Sequence, residues 1–172
     1  MPIHRPELLA PAGDYDALRA AAAGGADAVY FGLDQFNARH RAANFTLAEL
    51  PQLMDYLHRH NVKGYLTFNT LIFSDELAAA ADYLAAIAQA GVDAVIVQDL
   101  GLARLLHRLA PSLPIHGSTQ MTLTESRGIE FVRTLGIQRV ILARELALKD
   151  IAQITRATTM EVEAYIPVAL CV

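Results

Sequence analysis

The chain has 172 residues, 53% of them hydrophobic, and carries a formal net charge of -4 at pH 7. This length and apolar content suit one hydrophobic core, and the sequence has no linker-like stretch, so we expect a single domain over residues 1–172. The net charge argues against a protein coated in basic residues, and no apolar run reaches the roughly 18–20 residues of a membrane span, so a cytoplasmic location is expected.

The predicted elements alternate between strand and helix along the chain. A glycine that can end a helix leads directly into a short apolar strand at Gly25, Gly91 and Gly136, which indicates that one supersecondary unit is repeated. Seven strands are predicted, over residues 7–12, 28–32, 63–68, 94–97, 115–118, 139–143 and 161–166. Six helices are predicted between them, over residues 14–23, 46–60, 75–90, 100–109, 125–135 and 149–156.

Side chains suited to helix capping precede the first three helices. Asp14 and Ser74 are expected to cap the first and third, and Thr46 with Glu49 forms a capping-box pattern for the second. The loop over residues 33–45 is longer than the roughly 4 to 6 residues usual in a compact domain. Its length predicts a functional loop.

The strands are apolar throughout, which is typical of a parallel sheet covered by helices. A doubly wound open sheet and a TIM-type (β/α) barrel both fit this alternation. The barrel is favoured because nearly every strand ends in polar residues, as a shared barrel mouth requires: Asn69, Gln98, His116, Ser118, Gln120, Arg144 and Glu145. Because such barrels have eight strands and about 250 residues, we expect an incomplete barrel, the N-terminal portion of a longer protein.

These strand ends and the long loop supply the candidate binding residues. Asn37, Arg39 and His40 in the loop either recognise an anion, such as a carboxylate or an RNA phosphate, or form a solvated polar loop. Arg144 either clamps a carboxylate or phosphate or pairs with Glu145. Ser118 and Gln120 contact substrate or only satisfy backbone groups where the strand ends. Asn69 and Gln98 are further substrate-binding candidates at strand ends.

The candidate catalytic residues are His116, Asp99 and Glu145. His116 could transfer protons at neutral pH because the unperturbed pKa of histidine is near 6.5, or it could be a hydrogen-bonded residue behind the site. Asp99 is either a catalytic carboxylate or the cap of the helix that begins at residue 100. His58 and His60 point to nearly opposite sides of a helix, so a solvated helix end is favoured over a metal site.

Several segments resemble the collagenase-like peptidase family U-32. They are Pro-Ala-Gly at residues 11–13, the strand junction 25–32, Asn-Ala-Arg-His at 37–40, Asn-Thr at 69–70, Val-Gln-Asp at 97–99, Ser-Thr-Gln at 118–120, Leu-Ala-Arg-Glu at 142–145 and Ala-Leu-Cys at 169–171. The resemblance implies a relationship to RNA-hydroxylating enzymes that hold an iron-sulfur cluster on four cysteines and use prephenate. The Ser-Thr-Gln segment at 118–120 and the Ala-Arg-Glu-Leu segment at 143–146 are most similar to the RNA-modifying branch.

The family signature, Glu-x-Phe-x-x-Gly-Ala-Leu-Cys, is altered here. Tyr165 replaces the phenylalanine, Pro167 stands where a histidine is common, and Val168 replaces the glycine. Cys171 corresponds to the first cluster ligand, and it is the one cysteine in the chain. The resemblance therefore implies an iron-sulfur cluster in a full-length parent that this chain alone cannot hold.

Three functions remain open. The parent is expected to be an iron-sulfur enzyme that hydroxylates a pyrimidine base of ribosomal or transfer RNA with a prephenate-type small carboxylate. The second possibility is a collagenase-like peptidase, although the sequence lacks the His-Glu-x-x-His and Gly-x-Ser-x-Gly motifs. The third is an inactive fragment or binding scaffold, and inactivity is the expectation for the 172-residue chain alone.

Overall fold

The computed structural model describes residues 5–38 and 43–166. Seven parallel strands form one sheet in the order of the sequence. They are β1 (Leu9–Pro11), β2 (Ala28–Gly32), β3 (Lys63–Phe68), β4 (Ala94–Val97), β5 (Ile115–Gly117), β6 (Arg139–Ile141) and β7 (Glu161–Glu163). Six α-helices occur in the described part of the chain: α1 (Tyr15–Ala23), α2 (Leu50–Arg59), α3 (Leu77–Gln89), α4 (Leu100–Leu109), α5 (Ser126–Arg133) and α6 (Leu148–Ala157).

The sheet is curved rather than flat. In a flat sheet, β1 and β6 would lie roughly 24 Å apart, because neighbouring strands are spaced about 4.8 Å. Glu7, just before β1, nevertheless accepts a 2.6 Å hydrogen bond from Arg139 of β6. The hydroxyl groups of Tyr30 on β2 and Tyr165 after β7 are also hydrogen-bonded to each other. These contacts across the interior confirm the predicted incomplete TIM-type barrel.

Alternate residues of each strand face opposite sides of the sheet. One set packs against the helices in the main core, which includes fully buried Phe31, Leu66 and Val95. The other set lines the barrel interior, where Ala28, Tyr65, Ala94, Ile96 and Ile141 form a second buried cluster. No helix in the ranges 5–38 and 43–166 is both long and apolar enough to cross a membrane.

The helix starts differ in part from the sequence prediction. Asp14 caps α1 as predicted, because its carboxylate accepts a hydrogen bond from the backbone N–H of Ala17. Glu49 accepts from the backbone N–H of Thr46, so one half of the expected capping box is present, although α2 begins at Leu50.

The prediction that Ser74 caps α3 is wrong. The helix begins at Leu77, and the carboxylate of Glu76 accepts a hydrogen bond from the backbone N–H of Phe73. Four strands are also shorter than predicted, since β1 starts at Leu9, β5 ends at Gly117, β6 ends at Ile141 and β7 ends at Glu163. Just beyond these strands, Ala12, Ser118 and Leu142 each still donate one backbone hydrogen bond to a neighbouring strand.

Candidate functional site

A cavity of about 130 Å³ lies inside the barrel at the carboxyl ends of the strands. We call it the mouth cavity. All seven strands or the residues directly after them contribute to its wall: Leu9, Tyr30, Ala38, Thr67, Asn69, Ile96, Ser118, Thr119, Gln120, Ile141, Arg144, Glu163 and Tyr165. This convergence is the arrangement that makes the carboxyl end of a parallel barrel its usual ligand-binding face.

Four of the predicted binding residues line the mouth cavity together: Asn69, Ser118, Gln120 and Arg144. Ser118 is buried, and its hydroxyl oxygen accepts a 3.2 Å hydrogen bond from the backbone N–H of Gln120, which starts a short 3-10 turn over Thr119–Met121. Asn69 holds the middle of the long loop, because its side-chain oxygen accepts a 3.1 Å hydrogen bond from the backbone N–H of Ala38. The backbone therefore positions these polar groups.

Arg144 supplies a positive charge to the mouth cavity. Its guanidinium carbon lies 4.5 Å from the centre of the Tyr165 ring, which is within the range of a cation-π interaction. It makes no ion pair with any residue that the structure describes, and the predicted alternative of pairing with the exposed Glu145 is not seen. A guanidinium without a carboxylate partner is suited to an anionic ligand.

Asn37 lies behind the mouth cavity instead of in its wall. It is 5% exposed, donates a 2.8 Å hydrogen bond to the side-chain oxygen of Asn44 and accepts a 3.1 Å hydrogen bond from the Thr67 hydroxyl. Its amide packs against Gly32 so closely that a β-carbon at residue 32 would overlap it. Asn37 therefore anchors the long loop. The other two predicted loop residues, Arg39 and His40, lie outside the described residues.

Asp99 makes the contacts of a helix cap. One carboxylate oxygen accepts a 2.8 Å hydrogen bond from the backbone N–H of Leu102 in the first turn of α4, and the other accepts one from Ile72 at 3.3 Å. Both oxygens thus hold backbone groups of adjacent segments. Neither Asp99 nor the neighbouring Gln98 lines the mouth cavity.

His116 is buried in the barrel interior, below the mouth cavity. Its ring makes an edge-to-face contact with Tyr65 at 4.8 Å, and its Nδ1 atom has no hydrogen-bond partner among the described residues. Burial, together with the positive charge of Arg139, lowers the pKa of His116 to about 3. The ring is therefore neutral at pH 7, and its role in proton transfer stays a prediction.

A network of paired charges closes the opposite end of the interior. We call it the floor network, and it consists of Glu7, Lys63, Tyr65, Arg139 and Glu161. The Glu7 carboxylate accepts hydrogen bonds from Arg139 at 2.6 Å, Tyr65 at 2.7 Å and Lys63 at 3.0 Å, and Arg139 also binds Glu161 at 2.8 Å. Burial raises the pKa of Glu7, but these hydrogen bonds outweigh it and lower that pKa to about 2. Sequence reasoning did not anticipate this network.

Sequence reasoning also missed five polar residues of the mouth cavity wall: Tyr30, Thr67, Thr119, Glu163 and Tyr165. Glu163 is the most unusual, because its Oε2 atom is buried without a hydrogen-bond partner in the part of the chain described. Burial raises the pKa of Glu163 to about 7. A carboxylate in the middle of the predicted strand 161–166 was the signal that could have identified it.

The described residues do not fit a metal or an iron-sulfur cluster. No group of three or more His, Cys, Asp or Glu side chains in ranges 5–38 and 43–166 is placed to hold a metal ion. His58 instead lies 2.9 Å from the Asp93 carboxylate, and His60 lies 2.8 Å from the backbone oxygen of Tyr56. Cys171 is outside the described residues, and one cysteine cannot supply the four thiolates of a cluster.

Sequence comparison identifies several curated relatives. The chain is 41% identical over 169 residues to the 23S rRNA 5-hydroxycytidine C2501 synthase of Escherichia coli, covering 98% of this chain and 25% of that protein. It is 34% identical to the tRNA hydroxylation protein P1 of Bacillus subtilis, covering 98% and 40%. It is also 34% identical to a collagenase of Porphyromonas gingivalis, covering 86% and 35%. The chain thus spans a quarter to two fifths of these relatives' lengths.

Structural comparison supports the barrel fold. The fold matches the solved structure of the U32 peptidase Mk0906 with a TM-score of 0.79 and 12% sequence identity, covering 93% of this chain and 68% of that one. Residues 13–172 match the sequence pattern of peptidase family U32, and this span includes every strand end that lines the mouth cavity except that of β1. The barrel and these matches together show that the chain belongs to peptidase family U32.

Proposed function

We propose that this chain is the barrel portion of an enzyme that hydroxylates a pyrimidine base in ribosomal or transfer RNA, and that the mouth cavity binds a small carboxylate used in the reaction. Relatives named for rRNA and tRNA hydroxylation, similar over 98% of this chain, support the RNA substrate. An RNA substrate would also fit the expected cytoplasmic location. The observation that carries the proposal is the mouth cavity itself.

The chemistry of the mouth cavity supports a carboxylate ligand. Arg144 offers a guanidinium without an ion-pair partner among the described residues, and Asn69 and Gln120 offer side-chain amides beside it. A carboxylate accepts strong, charge-assisted hydrogen bonds from a guanidinium, and side-chain amide N–H groups are additional donors. The cavity therefore has a positive charge and oriented donors, but within its wall only one acid, Glu163.

The size of the cavity favours a small ligand over a peptide. A volume of about 130 Å³ is well below the roughly 300–1,000 Å³ of cavities that enclose drug-sized ligands. It equals about four times the roughly 30 Å³ that a water molecule occupies in the liquid. We infer that the cavity takes the carboxylate end of its ligand, and that the RNA base meets it at the cavity entrance.

The cofactor belongs to the same proposal. We propose that the natural full-length protein carries an iron-sulfur cluster, that Cys171 supplies one thiolate, and that residues beyond this chain supply the other ligands. Iron and acid-labile sulfide should then be present in the purified full-length protein and be lost in the Cys171→Ala variant. A full-length protein that hydroxylates RNA without bound iron would contradict this part of the proposal.

A peptidase is the second candidate, because one relative is named a collagenase. Ser118 lines the mouth cavity, but a serine nucleophile requires an adjacent base, and the cavity wall contains no histidine or lysine. The neutral, buried His116 does not reach the wall of this cavity. The geometry thus favours ligand binding at this site over peptide hydrolysis.

Nucleoside mass spectrometry of RNA from a gene-deletion strain tests the proposal. We expect 23S rRNA or tRNA from the deletion strain to lose a pyrimidine nucleoside that carries one additional oxygen, and the full-length wild-type gene to restore it. Purified full-length protein should leave gelatin intact. Unchanged RNA modification in the deletion strain, together with gelatin cleavage by the protein, would contradict the proposal and favour the peptidase.

A further inference from the structure

Glu163 is a half-buried acid in the wall of the mouth cavity. It is the last residue of β7 and pairs in register with Ile141 of β6, which also lines the cavity. Its Oε2 atom has no hydrogen-bond partner within the described ranges. An ionised carboxylate is an acceptor with up to four lone-pair sites, so leaving one of its oxygens buried and unpaired is unfavourable. Burying the protonated, uncharged form costs less free energy.

The charges around Glu163 do not compensate for its burial. Arg139 lowers the pKa of Glu163 and Glu7 raises it, while burial is the largest influence and sets the pKa at about 7. Arg139 is already bound to Glu7 and Glu161, which offset its charge. The titratable and charged groups of the surrounding segments are Glu7 before β1, Tyr30 on β2, Lys63 and Tyr65 on β3, His116 on β5, Arg139 on β6, Arg144 after β6, and Glu161 and Tyr165 on and after β7.

The same wall contains Arg144, whose guanidinium stacks on the ring of Tyr165, two residues after Glu163. An anion held by Arg144 would therefore lie in a small cavity that also contains the Glu163 carboxyl group. An ionised Glu163 would repel such an anion, whereas a protonated Glu163 could donate a hydrogen bond to it. The two protonation states of Glu163 thus have opposite effects on anion binding.

We propose that Glu163 contacts the carboxylate ligand of the mouth cavity in its protonated form, donating its carboxyl hydrogen to an oxygen of the anion that Arg144 holds. This inference rests on the proposed function, which makes the cavity a carboxylate site. Glu163 then favours an anion with an acceptor oxygen. Each anion that binds above neutral pH brings one proton into the site.

Isothermal titration calorimetry of the full-length protein tests this inference, with benzoate as the probe because it stays anionic between pH 6 and pH 8. Titrations in two buffers with different ionisation enthalpies count the protons taken up. We expect nearly one proton per benzoate at pH 8 and about a tenfold weaker association at pH 8 than at pH 6. This measurement on the wild type needs no variant.

Two glutamate substitutions sharpen the test. The Glu163→Gln variant keeps a neutral hydrogen-bond donor, so it should bind benzoate with little change between pH 6 and pH 8 and take up no proton. The matched control is Glu125→Gln, at an exposed glutamate before α5, which should retain the wild-type pH dependence. Far-ultraviolet circular dichroism checks that each variant is folded.

The outcomes separate this inference from the proposed function. Benzoate binding that needs Arg144 but takes up no proton would overturn the role of Glu163 and leave the cavity as a carboxylate site. If benzoate affinity depends on pH equally in the wild type and in Glu163→Gln, the role of Glu163 is likewise overturned and the carboxylate site remains. If benzoate fails to bind at pH 6, or binds the Arg144→Ala variant equally well, both the role of Glu163 and the carboxylate site are wrong.

Discussion

The two ends of the barrel interior use the same types of residue in opposite ways. At the floor, Arg139 of β6 binds Glu7 and Glu161, and its side chain is 16% exposed. At the mouth, Arg144 after β6 and Glu163 of β7 also provide a base and an acid, but no ion pair between described residues involves either of them. The floor charges are already satisfied within the chain, whereas the mouth charges are not.

This difference indicates two separate roles. A buried charge with a full set of partners holds strands together and leaves no capacity for a ligand. A charge without a protein partner at the carboxyl end of a barrel keeps its capacity to bind, so it is expected where a ligand supplies the missing partner. The following substitutions test whether stability and ligand binding divide between the two ends in this way.

The largest effect on stability is expected at the floor. Replacing Arg139 with methionine leaves Glu7 buried without its main partner, and we expect the free energy of unfolding to fall by about 3 kcal/mol. Urea denaturation of the full-length protein measures this change. The Arg133→Ala variant removes an exposed pair with Glu130 and should cost less than about 1 kcal/mol. Equal losses in the two variants would show that the floor network is not a special stabilising feature.

At the mouth, we expect a large effect on ligand binding and a small effect on stability. Replacing Arg144 with alanine removes charge-assisted hydrogen bonds to the ligand that are worth about 1.5–3 kcal/mol, so benzoate should bind about 10 to 150 times more weakly. The free energy of unfolding should change by no more than about 0.5 kcal/mol, because Arg144 is exposed. The matched control is Arg104→Ala at an exposed position of α4. A large loss of stability in the Arg144 variant would remove the distinction between mouth and floor.

Asp99 tests whether a carboxylate outside the mouth cavity wall has a functional role. The Asp99→Ala variant loses the cap of α4 and should unfold with a free energy about 1–2 kcal/mol lower. The Asp99→Asn variant keeps an acceptor for the backbone N–H of Leu102, so it should retain both stability and RNA hydroxylation. Loss of hydroxylation in a stable Asp99→Asn protein would instead favour the catalytic role that the sequence left open.

Opposite pH dependences of stability are also expected at the two ends. The pKa of Glu7 is lowered to about 2 in the folded protein, so its contribution to stability is present above about pH 4.5 and is lost as the pH falls toward 2. The pKa of Glu163 is raised to about 7, so stability is instead lost as the pH rises from about 4.5 to 7.

Denaturation at several pH values measures both effects. Glu7→Gln should weaken the acid-side dependence, and Glu163→Gln should weaken the loss between about pH 4.5 and 7, each relative to wild type. A Glu163→Gln protein with an unchanged pH profile would indicate that Glu163 is ionised in the folded protein at neutral pH.

The fold and part of the site could be predicted from sequence. The glycine-terminated helices and short apolar strands predicted the parallel barrel, and the rule that strand ends meet at the barrel mouth found Asn69, Ser118, Gln120 and Arg144. The same rule also selected Gln98, which does not line the cavity, because the sequence does not show how a strand-end side chain turns.

Other features depend on contacts that a sequence pattern does not contain. His116 lies on the inward face of β5 but below the cavity, and the burial of its ring lowers its pKa. Glu7 and Arg139 are 132 residues apart, and only the curvature of the sheet brings them together. Glu163 was overlooked because it lies within a predicted strand, where the search for polar residues at strand ends did not extend.

The most direct test of the division between mouth and floor is the level of RNA hydroxylation in cells that carry only an Arg144 variant. Nucleoside mass spectrometry should show that Arg144→Ala reduces the hydroxylated pyrimidine at least tenfold relative to Arg104→Ala, at equal amounts of full-length protein. If Arg144→Ala cells hydroxylate their RNA as fully as the control cells, the mouth cavity is not the site on which the proposed function depends.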